Sequence, residues 1–176
     1  MTGTAGDVYL LIHGFAGDGS AWAQLSAILA RAGQTVVMPD LPGHGATTGE
    51  AADPGALADA VTRLVATFSM PVTLVGHSLG AAVAVIAAAR LGHRVARVVL
   101  LTPAGCGPTI GADFVHGMAE AQTPGEVAHL LRLLGPKGGT VSDATLVQMA
   151  AELSRGRLKA LAQTLATTDG RQRIDL

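Results

Sequence analysis

The chain has 176 residues, 49% of them hydrophobic and 14% charged, with a formal net charge of −1. That length suits a single domain with a full core, and that composition excludes a disordered or highly solvated chain. Without a basic block or stripe, the charge pattern excludes nucleic-acid and anionic-membrane binding. The single Cys106 excludes an internal disulfide and fits a reducing, cytoplasmic setting. The stretch from Met1 to Asp7 has neither the basic region nor the apolar run of a secretory signal.

Val8-Tyr9-Leu10-Leu11-Ile12 is a continuous apolar run between Gly6-Asp7 and His13-Gly14. Continuous rather than alternating apolarity predicts a strand of a parallel sheet covered on both faces. A helix follows, with Ser20 as its N-cap, Trp22, Leu25 and Leu29 on one stripe, and Gly33 as its stop. Thr35-Val36-Val37-Met38 is the second strand, and the Pro39-to-Gly45 segment is a loop by its proline and glycine content. Asp53-Pro54 opens another helix, with Leu57, Val61, Leu64 and Phe68 near helical spacing. From Leu64 to Ala89 there is no charged residue, a stretch long enough to span a membrane. Pro71, Gly76, His77, Ser78 and Gly80 interrupt it, so it is predicted to be a buried strand, turn and helix of a soluble protein. The strand is Pro71 to Val75, the helix runs from Ala81 to Arg90, and Val95 to Leu101 is a fourth strand. This alternation predicts an α/β fold with a doubly wound parallel sheet.

After Thr102-Pro103-Ala104-Gly105 no further strand is expected. Thr123-Pro124-Gly125-Glu126 is a capping box, and its helix carries Val127, Leu130, Leu131 and Leu134 on one face. Leu146, Met149, Ala150 and Leu153 repeat that spacing, as do Leu158, Leu161, Ala162 and Leu165. The chain therefore divides into a core over 1–108, a helical cap over 109–170 and a short return toward the core over 171–176. The cap is placed as a lid over the sheet.

The chemistry centres on Gly76-His77-Ser78-Leu79-Gly80, a G-x-S-x-G between a strand and a small-residue helix. Its glycines allow a turn too tight for side chains, which lifts the Ser78 hydroxyl out of the sheet edge. A serine nucleophile needs donors for the oxyanion, a base and an orienting acid. The N–H of Leu79 at the helix start and that of Phe15, after His13-Gly14 at the end of the first strand, are candidate donors.

Leu11-Ile12-His13-Gly14-Phe15, Pro39-Asp40-Leu41-Pro42-Gly43-His44-Gly45 and Val75-Gly76-His77-Ser78-Leu79-Gly80 together resemble the α/β-hydrolase superfamily in order and spacing. The segment from Leu101 to Gly105 and the helices after it look like the hydrolase-like domain of acetoin dehydrogenase acyltransferase subunits and their stand-alone relatives. The resemblance implies an α/β-hydrolase fold with a helical lid, Ser78 as nucleophile, Phe15 and Leu79 as the oxyanion hole, and His77 as a structural neighbour on the elbow. It implies a small-molecule acyl substrate, an ester or thioester, with hydrolysis or acyl transfer as the outcome.

In that superfamily the acid and histidine come later in the chain than any candidate here. This makes the 176 residues an expected fragment, inactive as it stands, of a longer hydrolase. A truncated, non-catalytic binding domain is the alternative. His44 reads as a loop or pocket-wall residue, His93 as structural, and His116 and His129 as cap residues that are solvated or line a pocket. Asp40 is expected to shape its loop, and Cys106 to be a small buried residue. No His or Cys pair has metal-ligand spacing and no phosphate-binding glycine loop follows a strand, so no metal and no other cofactor is expected. Oligomerisation is left open.

Overall fold

The computed structural model describes residues 6–50, 52–135 and 141–176. The reading of the first five residues lies outside them. Four parallel strands, β1 (Val8–Ile12), β2 (Thr35–Val37), β3 (Val72–His77) and β4 (Val95–Leu101), form one sheet in the order β2-β1-β3-β4. Val8 of β1 stands opposite both Thr35 and Val72, and Val75 of β3 opposite Val99 of β4. The chain first builds outward from β1 to β2, then returns to place β3 on the other side of β1. The direction of winding thus reverses between β1 and β3, and crevices at such a reversal, outside the carboxyl ends of the strands, are where ligands bind in open α/β sheets.

The continuous apolarity of β1 and β3 has the cause assigned to it. Leu10, Ile12, Val72 and Leu74 pack on one face with α2 (Pro54–Val65) and α3 (Leu79–Leu91). Leu11 and Val75 point the other way and meet Trp22, with Leu25 and Leu29 of α1 (Ala23–Arg31) beside them. Each fully buried leucine of this kind contributes about 2 kcal/mol relative to exposure. Small residues let α3 lie flat on the sheet: Ala81, Ala82, Ala84 and Ala87 have no accessible surface. The uncharged stretch from Leu64 is accounted for by the end of α2, β3 and most of α3, and no helix among the described residues is long and apolar enough to cross a membrane.

β4 differs from the other strands. Val98, Val99, Leu100 and Leu101 keep between 38% and 43% of their surface exposed, and its outer edge carries no strand among the described residues.

Several boundaries shift from the sequence reading. The N-cap is Asp18, not Ser20: the Asp18 carboxylate accepts the Ser20 N–H at 2.7 Å and opens a 3₁₀ turn (Gly19–Trp22) that leads into α1. β2 ends at Val37 and α2 at Val65, so Met38 and Phe68 fall outside them, and α3 begins directly after Ser78 rather than at Ala81. The region after β4 contains α4 (Ala112–Glu120), α5 (Pro124–Arg132), α6 (Asp143–Leu153) and α7 (Lys159–Leu165). The capping box forms at the start of α5, but the helix stops at Arg132, leaving Leu133 and Leu134 beyond it at 52% and 60% exposure. After α7 the chain makes isolated antiparallel bridges, Ala166 with Gln172 and Thr109 with Arg171, and Ile174 is buried in the main core. Cys106 is exposed rather than buried, because it lies in the loop that leaves the uncovered edge strand.

Candidate active site

β3 ends at His77 and α3 begins at Leu79, so Ser78 alone makes the turn, with φ 53° and ψ −117°. A side chain in that region is strained and persists only where its surroundings over-determine it. Here they do. The Ser78 N–H donates to Leu101 O at 3.0 Å, and its carbonyl accepts from the N–H groups of Ala81, Ala82 and Ala104. The flanking glycines are needed for close approach. A Cβ on Gly76 would lie 2.3 Å from Gly80 O, and one on Gly80 would lie 2.2 Å from Ile12 O. Gly14 brings the first loop equally near: its Cβ would stand 3.3 Å from that of Ser78 and 3.1 Å from His77 Nδ1.

Ser78, Phe15 and Leu79 line one cavity of about 700 Å³, whose walls also include Phe114, Leu134 and Leu165 from the helical region after β4. Leu79 is the first residue of α3, and its N–H has no intrahelical acceptor. Phe15 sits in a turn closed by Gly17 N–H donating to Gly14 O at 3.2 Å. Neither the Phe15 nor the Leu79 N–H has an acceptor among the described residues, and no hydrogen bond reaches the Ser78 hydroxyl among them. An unpartnered N–H at a helix N-terminus, next in the chain to a hydroxyl, favours negative charge on an oxygen there, and Phe15 lines the same cavity.

His13 supports this loop from beneath. It is 1% exposed. Its Nδ1 donates to Gly14 O at 2.8 Å and its Nε2 accepts the Leu41 N–H at 3.0 Å, which joins the loop after β1 to the loop after β2. His13→Ala is expected to cost about 2 kcal/mol in a urea titration, because it strands the buried Leu41 N–H. A midpoint equal to that of the unaltered chain would mean that the bridge contributes nothing.

Asp40 shapes its own loop. Its carboxylate accepts the Gly19 and Ala46 N–H groups at 2.8 and 2.9 Å. Burial alone would raise the Asp40 carboxyl, but those two donors, with His13 and His44 nearby, hold it below its ordinary value. His44 is 2% exposed and meets His13 edge-to-face at 5.0 Å between ring centroids. Burial, then the adjacent His13 ring and Arg157, push His44 down to about 4, against the opposing pull of Pro42 O and Asp40. Burial lowers His13 too, against Gly14 O and the carboxylates of Asp40 and Asp18, and it lowers His77.

The unfolded chain takes up protons on these imidazoles from about pH 6.5 downward, while folded His44 stays neutral until about 4. Stability from this group is therefore complete above pH 6.5 and is lost as the pH falls toward 4. The urea midpoint should drop by the equivalent of about 3 kcal/mol between neutral pH and the lower end of that window. His44→Phe should flatten the dependence, and an equally steep dependence in that variant would refute the assignment.

Of the other histidines, His93 and His129 are exposed, and His116 lies on α4 with its Nε2 sealed from solvent. None of them, nor His44, lines the Ser78 cavity. The sequence reading missed Asp113 and Asp169 at that cavity, the latter paired with Arg171 at 3.2 Å. Phe114 and Ile174 were missed as well. Among the described residues no group of three or more His, Cys, Asp or Glu side chains could hold a metal ion.

A family defined by the alpha/beta hydrolase fold matches residues 8–172, and the chain belongs to it. It is 33% identical over its whole length to the dihydrolipoyllysine-residue acetyltransferase component of an acetoin cleaving system from Pseudomonas putida, of which the match covers 49%. It is also 33% identical, over 94% of its length, to 73% of a pimeloyl-[acyl-carrier protein] methyl ester esterase from Aromatoleum aromaticum. Among solved structures, an N-acyl homoserine lactonase complexed with N-hexanoyl homoserine superposes with a TM-score of 0.74 at 22% identity, covering 97% of this chain and 66% of that one. The chain thus spans about half the length of the acetoin-system relative.

Proposed function

We propose that this chain is the nucleophile-bearing part of a serine hydrolase that cleaves small esters or thioesters through an acyl-enzyme on Ser78. The observation that carries this reading is Ser78 held at φ 53° beside two unpartnered N–H groups, at the point where the sheet reverses its winding. Ser78 Oγ attacks the acyl carbon, the Phe15 and Leu79 N–H groups hold the developing oxyanion, and the alcohol or thiol leaves. Water then releases the acid. Removing one such donor typically costs about 10²–10³ in turnover. The cavity walls of Phe114, Leu134 and Leu165 favour an aliphatic acyl group.

The base and orienting acid are proposed to come from outside these residues, on strands that extend the sheet beyond β4. The exposed apolar residues of that strand support this, as an open apolar edge of this kind is otherwise a liability. Acyl transfer to a thiol or alcohol is a second reading, favoured by the name of the Pseudomonas putida relative. The test is fluorophosphonate treatment of the longer protein that contains this chain, followed by mass analysis. One adduct, mapped to Ser78, is the expected result. Absence of any adduct, together with no turnover of short-chain esters, would leave a non-catalytic binding domain.

A further inference from the structure

Arg157, between α6 and α7, ties the helical region to the loop after β2. Its guanidinium donates to Thr47 O at 2.6 Å and to Gly45 O at 3.0 Å, 110 and 112 residues earlier in the chain. It also donates to the Glu152 carboxylate at 3.0 Å, and only 15% of the side chain is exposed. Among the described residues no other side chain from beyond β4 hydrogen-bonds to residues 40–47. The planar guanidinium fork serves both carbonyls at once, which a lysine ammonium on its flexible stem does less well.

The loop held in this way is connected to the proposed oxyanion donor. The His44 N–H, next to Gly45, donates to Leu41 O at 2.9 Å, and the Leu41 N–H donates to His13 Nε2 at 3.0 Å. His13 Nδ1 in turn donates to Gly14 O at 2.8 Å. Gly14 O and the Phe15 N–H belong to one peptide group, and in a planar trans peptide they point in opposite directions. A carbonyl drawn to His13 therefore turns the Phe15 N–H away from it. The rings repeat the connection: His44 meets both His13 and Phe15 edge-to-face, at 5.0 and 6.1 Å. The Asp40 carboxylate adds a third link by holding the N–H groups of Ala46, in the loop, and of Gly19, just beyond Phe15.

We propose that Arg157 is a positioning residue for the oxyanion donor. By clamping Gly45 and Thr47 it fixes the loop after β2 and, through His13 and His44, the orientation of the Phe15 N–H. The effect on rate rests on the serine-hydrolase reading, whereas the clamp itself is a property of the fold. Arg155 supplies the contrast. It pairs with the same Glu152 oxygen at 2.8 Å, but it is exposed and makes no hydrogen bond to the loop among the described residues.

The test compares Arg157→Ala, Arg157→Lys and Arg155→Ala in the longer protein that contains this chain. The readouts are kcat and KM for p-nitrophenyl acetate, and amide hydrogen exchange. Misplacement of a reacting group by about 1 Å costs on the order of 10²-fold in rate, so Arg157→Ala should lower kcat by about 10–10²-fold and leave KM within about twofold. Millimolar guanidinium chloride should restore part of that kcat. Arg157→Lys should fall between, and Arg155→Ala should match the unaltered protein. The Leu41 and Ala46 N–H groups should exchange about tenfold faster in Arg157→Ala, and those of β3 no faster. Unchanged kcat in folded Arg157→Ala, or an equal fall in Arg155→Ala, would overturn the proposal, and so would unchanged exchange at Leu41 and Ala46. Where the alanine variant does not fold, Arg157→Lys takes its place, and unchanged kcat and exchange there would overturn the proposal equally. Faster exchange without any Ser78-dependent turnover in the unaltered protein would sink the hydrolase reading and leave Arg157 as the clamp of the loop.

Discussion

On the acyl-enzyme reading proposed above, Ser78→Ala is expected to lower ester turnover by about 10⁴-fold or more, while leaving the folding stability within about 0.5 kcal/mol. The hydroxyl makes no hydrogen bond among the described residues, so removing it deprives the fold of no contact. The turn itself is held by the backbone of Ser78, through Leu101 O on one side and three N–H donors on the other, and alanine keeps all four bonds. Ser78→Gly should be equally inactive. The strain that φ 53° with ψ −117° puts on any residue with a Cβ is about 1–3 kcal/mol. It should exceed the roughly 1 kcal/mol that the larger unfolded-state entropy of glycine sets against its relief, leaving the glycine variant the more stable of the two. Thermal melts and ester assays on the pair separate the two effects. Retention of most of the turnover in Ser78→Ala would remove Ser78 as nucleophile. A glycine variant less stable than the alanine variant would mean that the turn stores less than about 1 kcal/mol of strain.

The elbow was legible because three local signals coincide: an apolar run, two glycines around a serine, and a helix of small residues. Each reports on its own few neighbours, and a parallel sheet assembles them in only a few ways. The loop role of Asp40 was legible for the same reason, since its partners Gly19 and Ala46 are themselves turn residues. The burial of His44 was not. It stands in a glycine-rich loop and reads as a loop or pocket-wall residue, and it is buried because His13, Phe15 and the distant α6 close around it. Cys106 failed in the opposite sense: a small apolar residue after an apolar strand reads as core, but β4 is an open edge and its exit loop is exposed. The lining by Phe114 and Ile174 depends on how the helices after β4 pack on the sheet, and no spacing within α4 or the last residues encodes that.

Gly80→Ala should cost about 3 kcal/mol or more, the largest stability loss expected of any single methyl group added at this site. The added Cβ would lie 2.2 Å from Ile12 O, 2.4 Å from His13 O and 2.7 Å from Ile12 C. All three are backbone atoms of the strand end that carries the Phe15 loop, so no rotamer change relieves them. Ile12 is fully buried and paired with Gly76, and His13 is bridged to Leu41, which prevents β1 from retreating. The first turn of α3 must move instead, and Leu79, whose N–H is a proposed oxyanion donor, moves with it. Activity should therefore fall beyond what the lost stability explains, and reactivity toward a fluorophosphonate should fall even where the variant is still folded. Gly125→Ala is the matched control: it sits in the first turn of α5 with nothing within 4 Å of the added Cβ. Alanine there should be neutral or stabilising by up to about 1 kcal/mol. Urea titrations of the two variants decide the matter. Equal midpoints would show that the contact between α3 and β1 is looser than the distances at Gly80 imply, and with it the coupling between the two donors.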